Sequence, residues 1–302
     1  MVRMIKRSII FCVILACCVL FCIFGCLSVH TQNVNAMPFY DLKPKEIVLR
    51  AEFSTNYSKS ASERKSNIAL AVRALNNTFV DVGGEFSFNR TVGPRTEKRG
   101  YKTAKIIVNG KFTDGVGGGV CQVSTTLYNA VLLAGLRVTE YHAHSLPVSY
   151  VAPSFDAMVN SGSADLRFIN DTNNPIIIGA TADGEKIKIR IFGESMQAKY
   201  IRQSDILEYI EPPKEEVVYD DKLEYPELYE GESKWLEYGK KGYISQGTLI
   251  KVLDGKEVER RVIRKDKYLA TRGVIIYGKA IPPIEISQDD GLAEILNDKI
   301  QE

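Results

Sequence analysis

At 302 residues, with 45% hydrophobic and 25% charged residues, the chain is long enough to bury a sizeable core, which excludes a small disulfide-stapled module and a wholly disordered tract. Its formal net charge is +2, and setting aside Arg3, Lys6 and Arg7, which precede every acidic residue, leaves −1 on the remainder. That remainder lacks the concentrated basic surface that nucleic-acid binding requires, so no nucleic-acid partner is expected.

Residues 8–29 form an uncharged, mostly apolar run of about 22 residues, long enough to cross the hydrocarbon core of a bilayer as a helix. The basic flank lies before it, which keeps the N-terminus inside and sends the rest of the chain out. A transmembrane anchor or signal segment is therefore expected over residues 1–30, followed by a linker over 31–46. Two rival fates remain open. Val34-Asn35-Ala36 offers small residues for signal-peptidase cleavage and a secreted form, and Ile23-Phe24-Gly25-Cys26 loosely resembles a lipoprotein site, with bulky Phe24 against it. All three fates place the remainder outside the cytoplasm.

Of the six cysteines, Cys12, Cys17, Cys18, Cys22 and Cys26 fall in the apolar run, where they serve as small hydrophobes. Only Cys121 reaches the exported part, so no internal disulfide can form there, and an unpaired thiol in an oxidising place calls for a reason. Histidine is as sparse: beyond His30 there are only His142 and His144.

In chain order, residues 56–75 place Ile68, Leu70, Ala71, Val72 and Leu75 at helical spacing. Residues 83–101 are glycine-rich and aperiodic, and predict turns and short strands. A strand is expected over 104–108, turned by Asn109-Gly110. After Gly117-Gly118-Gly119, residues 122–134 have a helical period, and Gly135 supplies the stop. Strands are expected at 137–141 and 148–151, around a connection holding both histidines, then at 165–169, 176–180 and 186–192.

Cys121 thus sits at the mouth of a helix, where unpaired N–H groups and the dipole favour thiolate over thiol. The glycines permit backbone geometry that a side chain forbids and leave room for a substrate. A histidine on a neighbouring strand is placed to act as general base, with a polar group orienting its other nitrogen. The plain alternative is a small buried cysteine and two histidines making turn hydrogen bonds. A metal site from Cys121, His142 and His144 lacks the paired spacing of a metal motif, so neither metal nor cofactor is expected.

The run from Gly84 to about Ala180 resembles the VanW family of bacterial envelope proteins. The matching residues are Phe86-Ser87-Phe88-Asn89, Val92-Gly93, Gly100-Tyr101, the stretch from Gly117 through Cys121 to Asn129, Ala134-Gly135-Leu136, His144-Ser145, Tyr150-Val151, Asp156-Ala157, and Asp165-Leu166-Arg167-Phe168 with Asn170. Two positions depart from the family pattern. Pro153-Ser154-Phe155 stands where Pro-Gly-Arg is usual, and Tyr141 where an arginine often follows Glu140. The resemblance implies a domain over 47–200 in which the helix carrying Cys121 packs on an antiparallel sheet.

Beyond residue 203 the chain turns polar and acidic, with Pro212-Pro213 in a stretch that reads as a linker-like entry. Gly231, Gly239, Gly242, Gly255 and Gly278 then punctuate short alternating runs, and Asp254-Gly255 predicts a type I′ hairpin. The pattern resembles the five-glycine (G-five) domain, an extended β module, over 203–280, with an acidic tail over 281–302. Its implied ligand is a glycan containing N-acetylglucosamine.

The expected fold is therefore α+β: a membrane-anchored mixed α/β domain followed by an all-β module. The first functional expectation is a bacterial cell-envelope protein, in the cell membrane with its C-terminal domains outside, that acts at or binds peptidoglycan in a non-catalytic, accessory role. The alternative is a cysteine-dependent amidase, peptidase or acyl transferase on peptidoglycan stem peptides. There Cys121 is the nucleophile, His144 the base, Asp156 or Asp165 the group that orients it, and Gln122 an added donor to the oxyanion.

Overall fold

A computed structural model describes residues 46–281 except 109, with only the backbone of Val108. The membrane segment expected over 1–30, and nearly all of the 31–46 linker and the 281–302 tail, lie outside the described residues. Among the described residues no helix is long and apolar enough to cross a membrane.

The fold is α+β, mostly antiparallel sheet with few helices. A four-stranded sheet has the order β1 (Val48–Asn56), β9 (Lys186–Gly193), β8 (Ile176–Ala182), β2 (Thr78–Val80). Its inner face follows from simple alternation: Ile187, Ile189 and Ile191 on β9 and Ile176 and Ile178 on β8 are fully buried, with more exposed residues between them. Two helices cover that face: α1 (Ser62–Leu75), through Ile68, Ala71, Val72 and Leu75, and α3 (Val120–Leu133). A smaller sheet orders β3 (Glu85–Ser87), β7 (Arg167–Ile169) and β6 (Arg137–Glu140), and β4 (Thr103–Val108) pairs with β5 (Lys111–Val116) as a hairpin.

Three expectations are corrected. Residues 83–101, expected to hold only turns and strands, contain the short helix α2 (Phe88–Val92), whose first turn is capped by Ser87 Oγ accepting from the Arg90 N–H. Residues 148–151 form no strand, so His144 stands on an irregular segment rather than beside a second strand. The linker-like entry is mostly strand: β10 (Lys199–Ile210) is a twelve-residue strand, and β11 (Glu216–Tyr219) follows. Its apolar residues Tyr200, Ile201, Ile206 and Ile210 are masked by the acidic and proline content that surrounds them.

β10 joins β13 (Gly242–Leu253) and β14 (Lys256–Tyr268) in one sheet, while β11, β15 (Val274–Tyr277) and β12 (Ser233–Glu237) form another. The β13–β14 turn has Asp254 at φ 49° and Gly255 at φ 76°, the two positive values a type I′ turn needs. This module packs directly on the first unit. The Arg202 guanidinium lies over the rings of Phe53 at 4.3 Å and Phe155 at 4.9 Å and donates to Asn129 Oδ1. Ser204 Oγ donates to the Pro153 carbonyl at 2.8 Å.

Candidate active site

The helix α3 begins at Gly119, whose φ of 108° is open only to glycine at low cost. Gly118 is as constrained by space: a Cβ there would lie 2.7 Å from the Lys105 carbonyl oxygen. Buried Asn67 fixes this loop, donating to the Lys102 and Gly118 carbonyls at 2.8 and 3.0 Å and accepting from the Lys102 N–H at 2.7 Å. Sequence and packing thus set Cys121 in the first turn of a helix.

Unlike an ordinary amphipathic helix, α3 is buried nearly all round, and its polar residues must find partners. For Ser124, Thr125 and Asn129 those partners include the backbone of residues 155–157. Ser124 Oγ donates to the Ala157 carbonyl at 2.5 Å, Thr125 Oγ1 accepts from the Ala157 N–H at 2.9 Å, and Asn129 Nδ2 donates to the Phe155 carbonyl at 2.8 Å. The helix that carries the thiol therefore holds the segment that carries Asp156. The Met158 N–H donates in turn to the His142 carbonyl at 2.8 Å, drawing in the stretch with His144.

Three of the expected residues meet here. His144 Nδ1 lies 2.7 Å from Asp156 Oδ2, which also accepts from the His144 N–H at 2.7 Å. The Cys121 thiol lies near enough to His144 that each shifts the titration of the other. Asp156 is 1% and His144 6% exposed, and Cys121 is the least buried residue of the three. As a thiol, Sγ donates to the Val159 carbonyl at 3.3 Å.

Electrostatics divide the charge. Burial pushes the Cys121 thiol up, but the hydrogen bond and charge of His144, with help from Arg95, bring it below its ordinary value. Burial pushes His144 down, yet its bonds to Asp156 and Cys121 raise it to about 9. Burial raises Asp156, and His144, Arg264 and Tyr268 outweigh that and hold it low. Each of these shifts favours the charged form, thiolate at Cys121, imidazolium at His144 and carboxylate at Asp156.

The other expected residues do different work. Gln122 is no oxyanion donor: its Nε2 donates to Thr55 Oγ1 and the Asn56 carbonyl at 3.1 and 2.8 Å, and its Oε1 accepts from Arg64 at 2.9 Å. Asp165 does not orient His144. Its carboxylate accepts from Ser87 Oγ at 2.5 Å, the Asn89 N–H at 2.8 Å and Arg167 Nε at 3.1 Å, bracing α2. His142 turns away to Glu140 Oε1 at 2.9 Å. Among the described residues no three His, Cys, Asp or Glu side chains are grouped to hold a metal.

Sequence reasoning missed four groups. Arg64 and Arg95 put positive charge near the sulfur, and Arg64 Nη1 is buried without a hydrogen-bond partner. On the far side of Asp156, Tyr268 and Arg264 of β14 both bond to it. The period-2 alternation of β14 puts residues 264, 266 and 268 on one face, but nothing in the sequence says what that face meets.

A helix-borne thiol beside a buried, hydrogen-bonded imidazole–carboxylate pair is a candidate cysteine–histidine–aspartate site in an α+β fold. The chain belongs to the VanW family. The family model described as "VanW like protein" matches residues 63–192, and one described as "G5 domain" matches 208–280. The chain is 30% identical over 193 residues to the vancomycin B-type resistance protein VanW of Enterococcus faecalis, covering 62% of this chain and 70% of that protein. It is 41% identical over 152 residues to the uncharacterized protein YoaR of Bacillus subtilis, covering 50% of each, so the chain spans half the length of that relative. Among solved structures, a G5 domain of an IgA1 protease aligns with 18% identity over 29% of this chain and 99% of its own, at a TM-score of 0.17. A second solved G5 domain aligns at 23% identity over 27% of this chain and 95% of its own, at 0.15.

Proposed function

We propose that this chain is a bacterial cell-envelope enzyme that acts by cysteine acyl transfer on amide bonds of peptidoglycan stem peptides. The observation that carries the reading is the Cys121–His144–Asp156 cluster, in which a buried imidazole–carboxylate pair stands beside a thiol on a less buried residue. A buried imidazole held by a buried carboxylate beside a thiol is the arrangement that nucleophilic chemistry uses.

The thiolate attacks the amide carbonyl carbon, and the carbonyl π electrons move to oxygen. The Val120 and Gln122 N–H groups are already bonded to the Gly117 and Gly119 carbonyls, which leaves the Cys121 N–H as the helix-start donor for that oxyanion. Imidazolium His144 gives its proton to the leaving nitrogen as the C–N bond breaks, and an amine departs from a thioester. Water or a second amine then attacks the thioester, neutral His144 takes its proton, and the thiolate is regenerated. Asp156 holds the tautomer and steadies the cation throughout.

The C-terminal module gives this chemistry its location. Its G5 match and the exposed, stacked Trp235 and Tyr238, with ring centroids 5.4 Å apart, support binding to cell-wall glycan. The N-terminal apolar run would hold the whole at the outer face of the membrane.

The test is to incubate the full chain in detergent with defined stem peptides and to look by mass spectrometry for an acyl adduct on Cys121. An adduct in the parent protein that is absent from Cys121→Ser supports the reading. A protein that cleaves or transfers none of the amides, and carries no adduct under any of them, removes it in favour of an accessory wall-binding role.

A further inference from the structure

Asp156 has two sides. One carboxylate oxygen serves His144. The other, Oδ1, accepts a 2.5 Å bond from the Tyr268 hydroxyl and lies 3.4 Å from Arg264 Nη2, while Arg264 Nη1 donates to the Asp156 backbone carbonyl at 2.6 Å. Both partners stand on β14, more than a hundred residues along the chain and inside the segment matched as a G5 domain. Both are buried, Arg264 at 4% and Tyr268 at 1% exposure.

The contact is built rather than incidental. The Tyr268 hydroxyl itself accepts from the Ser154 N–H at 2.9 Å, so its one proton is directed at the carboxylate. Arg264 is fixed from behind by Asp266 Oδ2 at 2.6 Å and lies over the Tyr141 ring at 4.6 Å. Ser154 adopts a left-handed φ of 59°, and its Oγ meets Ser245 Oγ at 2.7 Å. β13 approaches so closely that a Cβ on Gly247 would lie 2.7 Å from the Ser154 carbonyl oxygen. A tether that only carries one domain past another needs none of this.

We infer that the C-terminal β module is part of the thiol site itself, with Tyr268 and Arg264 acting as positioning residues that hold Asp156 in the orientation and charge state His144 requires. This deepens the acyl-transfer reading and rests on it. The line then runs from the module inward: Tyr268 and Arg264 to Asp156, Asp156 to His144, His144 to Cys121. Other ionisable groups facing this line are Asp266, Tyr243, Tyr150, Arg64 and Arg95. None of them hydrogen-bonds Asp156 Oδ1, so the two β14 side chains hold its outer side. A module seated this way makes the reactivity of the thiol depend on its docking, which ties chemistry to the state of the wall-facing half.

The test is the pH profile of Cys121 alkylation in the full chain, for the parent, His144→Ala, Tyr268→Phe, Arg264→Gln and the exposed β14 control Arg260→Gln, with thermal melts alongside. Tyr268→Phe keeps the ring and removes one oxygen, so it stays informative if Arg264→Gln melts early. Expected is an upward shift of the thiol inflection by about one unit, a tenfold loss of thiolate on the acid limb, in Tyr268→Phe and Arg264→Gln and none in Arg260→Gln. Parent-like profiles in both β14 variants, with His144→Ala shifted, overturn the proposal and leave the thiol reading standing. An ordinary inflection near 8.5 in every protein, parent included, overturns both.

Discussion

Replacing His144 by alanine removes the largest influence that opposes burial at the Cys121 sulfur. With burial then opposed only by the Val159 hydrogen bond and Arg95, the thiol should titrate at about the free-thiol value of 8.5 or above, so at pH 7 only about 3% would be thiolate, roughly 30-fold less than in a fully formed thiolate. The less acidic thiolate is intrinsically the better nucleophile by about threefold per unit, so the apparent pKa is a cleaner readout than the rate at one pH. Iodoacetamide alkylation of the full chain, stopped at intervals from pH 5 to 10 and followed by mass, gives that profile. The parent should react well at neutral pH and show a second change near 9. His144 is raised to about 9, so its cation persists through neutral pH and is lost only as pH climbs through that value. In His144→Ala the upper feature should vanish and a single inflection should appear at 8.5 or higher. Coincident profiles for the two proteins would refute the paired thiolate.

Two further outcomes follow from the same geometry. Asp156→Ala strips the partner from a buried imidazolium and from Arg264 and Tyr268, and should cost about 3–5 kcal/mol in urea unfolding at pH 7. Because the folded-state pKa of Asp156 is lowered, its stabilisation is complete above the unfolded value near 3.9 and is lost as pH falls through the folded one, so the gap between parent and variant should narrow only below about pH 4. Gly118→Ala drives a methyl into the backbone of β4 and should lower stability by about 1–3 kcal/mol, measured by the shift in urea midpoint, and slow thiol alkylation by displacing the first turn of α3.

Local patterns carried much of the fold. The period of residues 122–134, the glycines on either side and the alternation in β8 and β9 are each decided within a few residues, and they set the helix and the sheet that position Cys121. The family motif brought His144 and Asp156 forward, but chemistry by type alone cannot rank two aspartates. By residue type Asp165 is as plausible as Asp156, and only the fold separates them, by bringing Ser87, Asn89 and Arg167 onto Asp165. Gln122 failed for a related reason: adjacency to the nucleophile says nothing of where an amide points, and this one is engaged by Thr55, Asn56 and Arg64. Arg264 and Tyr268 were invisible because they act across more than a hundred residues, and a charged residue in a strand of Lys, Glu and Arg reads as solvated surface.

The seam between the two matched segments has a thermodynamic consequence. One match ends at residue 192 and the other begins at 208, yet β10 runs through that gap and Arg202, Ser204, Ser245, Arg264 and Tyr268 all bond across it. Units that recombine in evolution need not be units that melt. Opening this seam would strand a buried guanidinium and a buried carboxylate together, so the two halves should lose structure in one cooperative step. Cutting the chain at the boundary that sequence families draw would cut through a single folding unit.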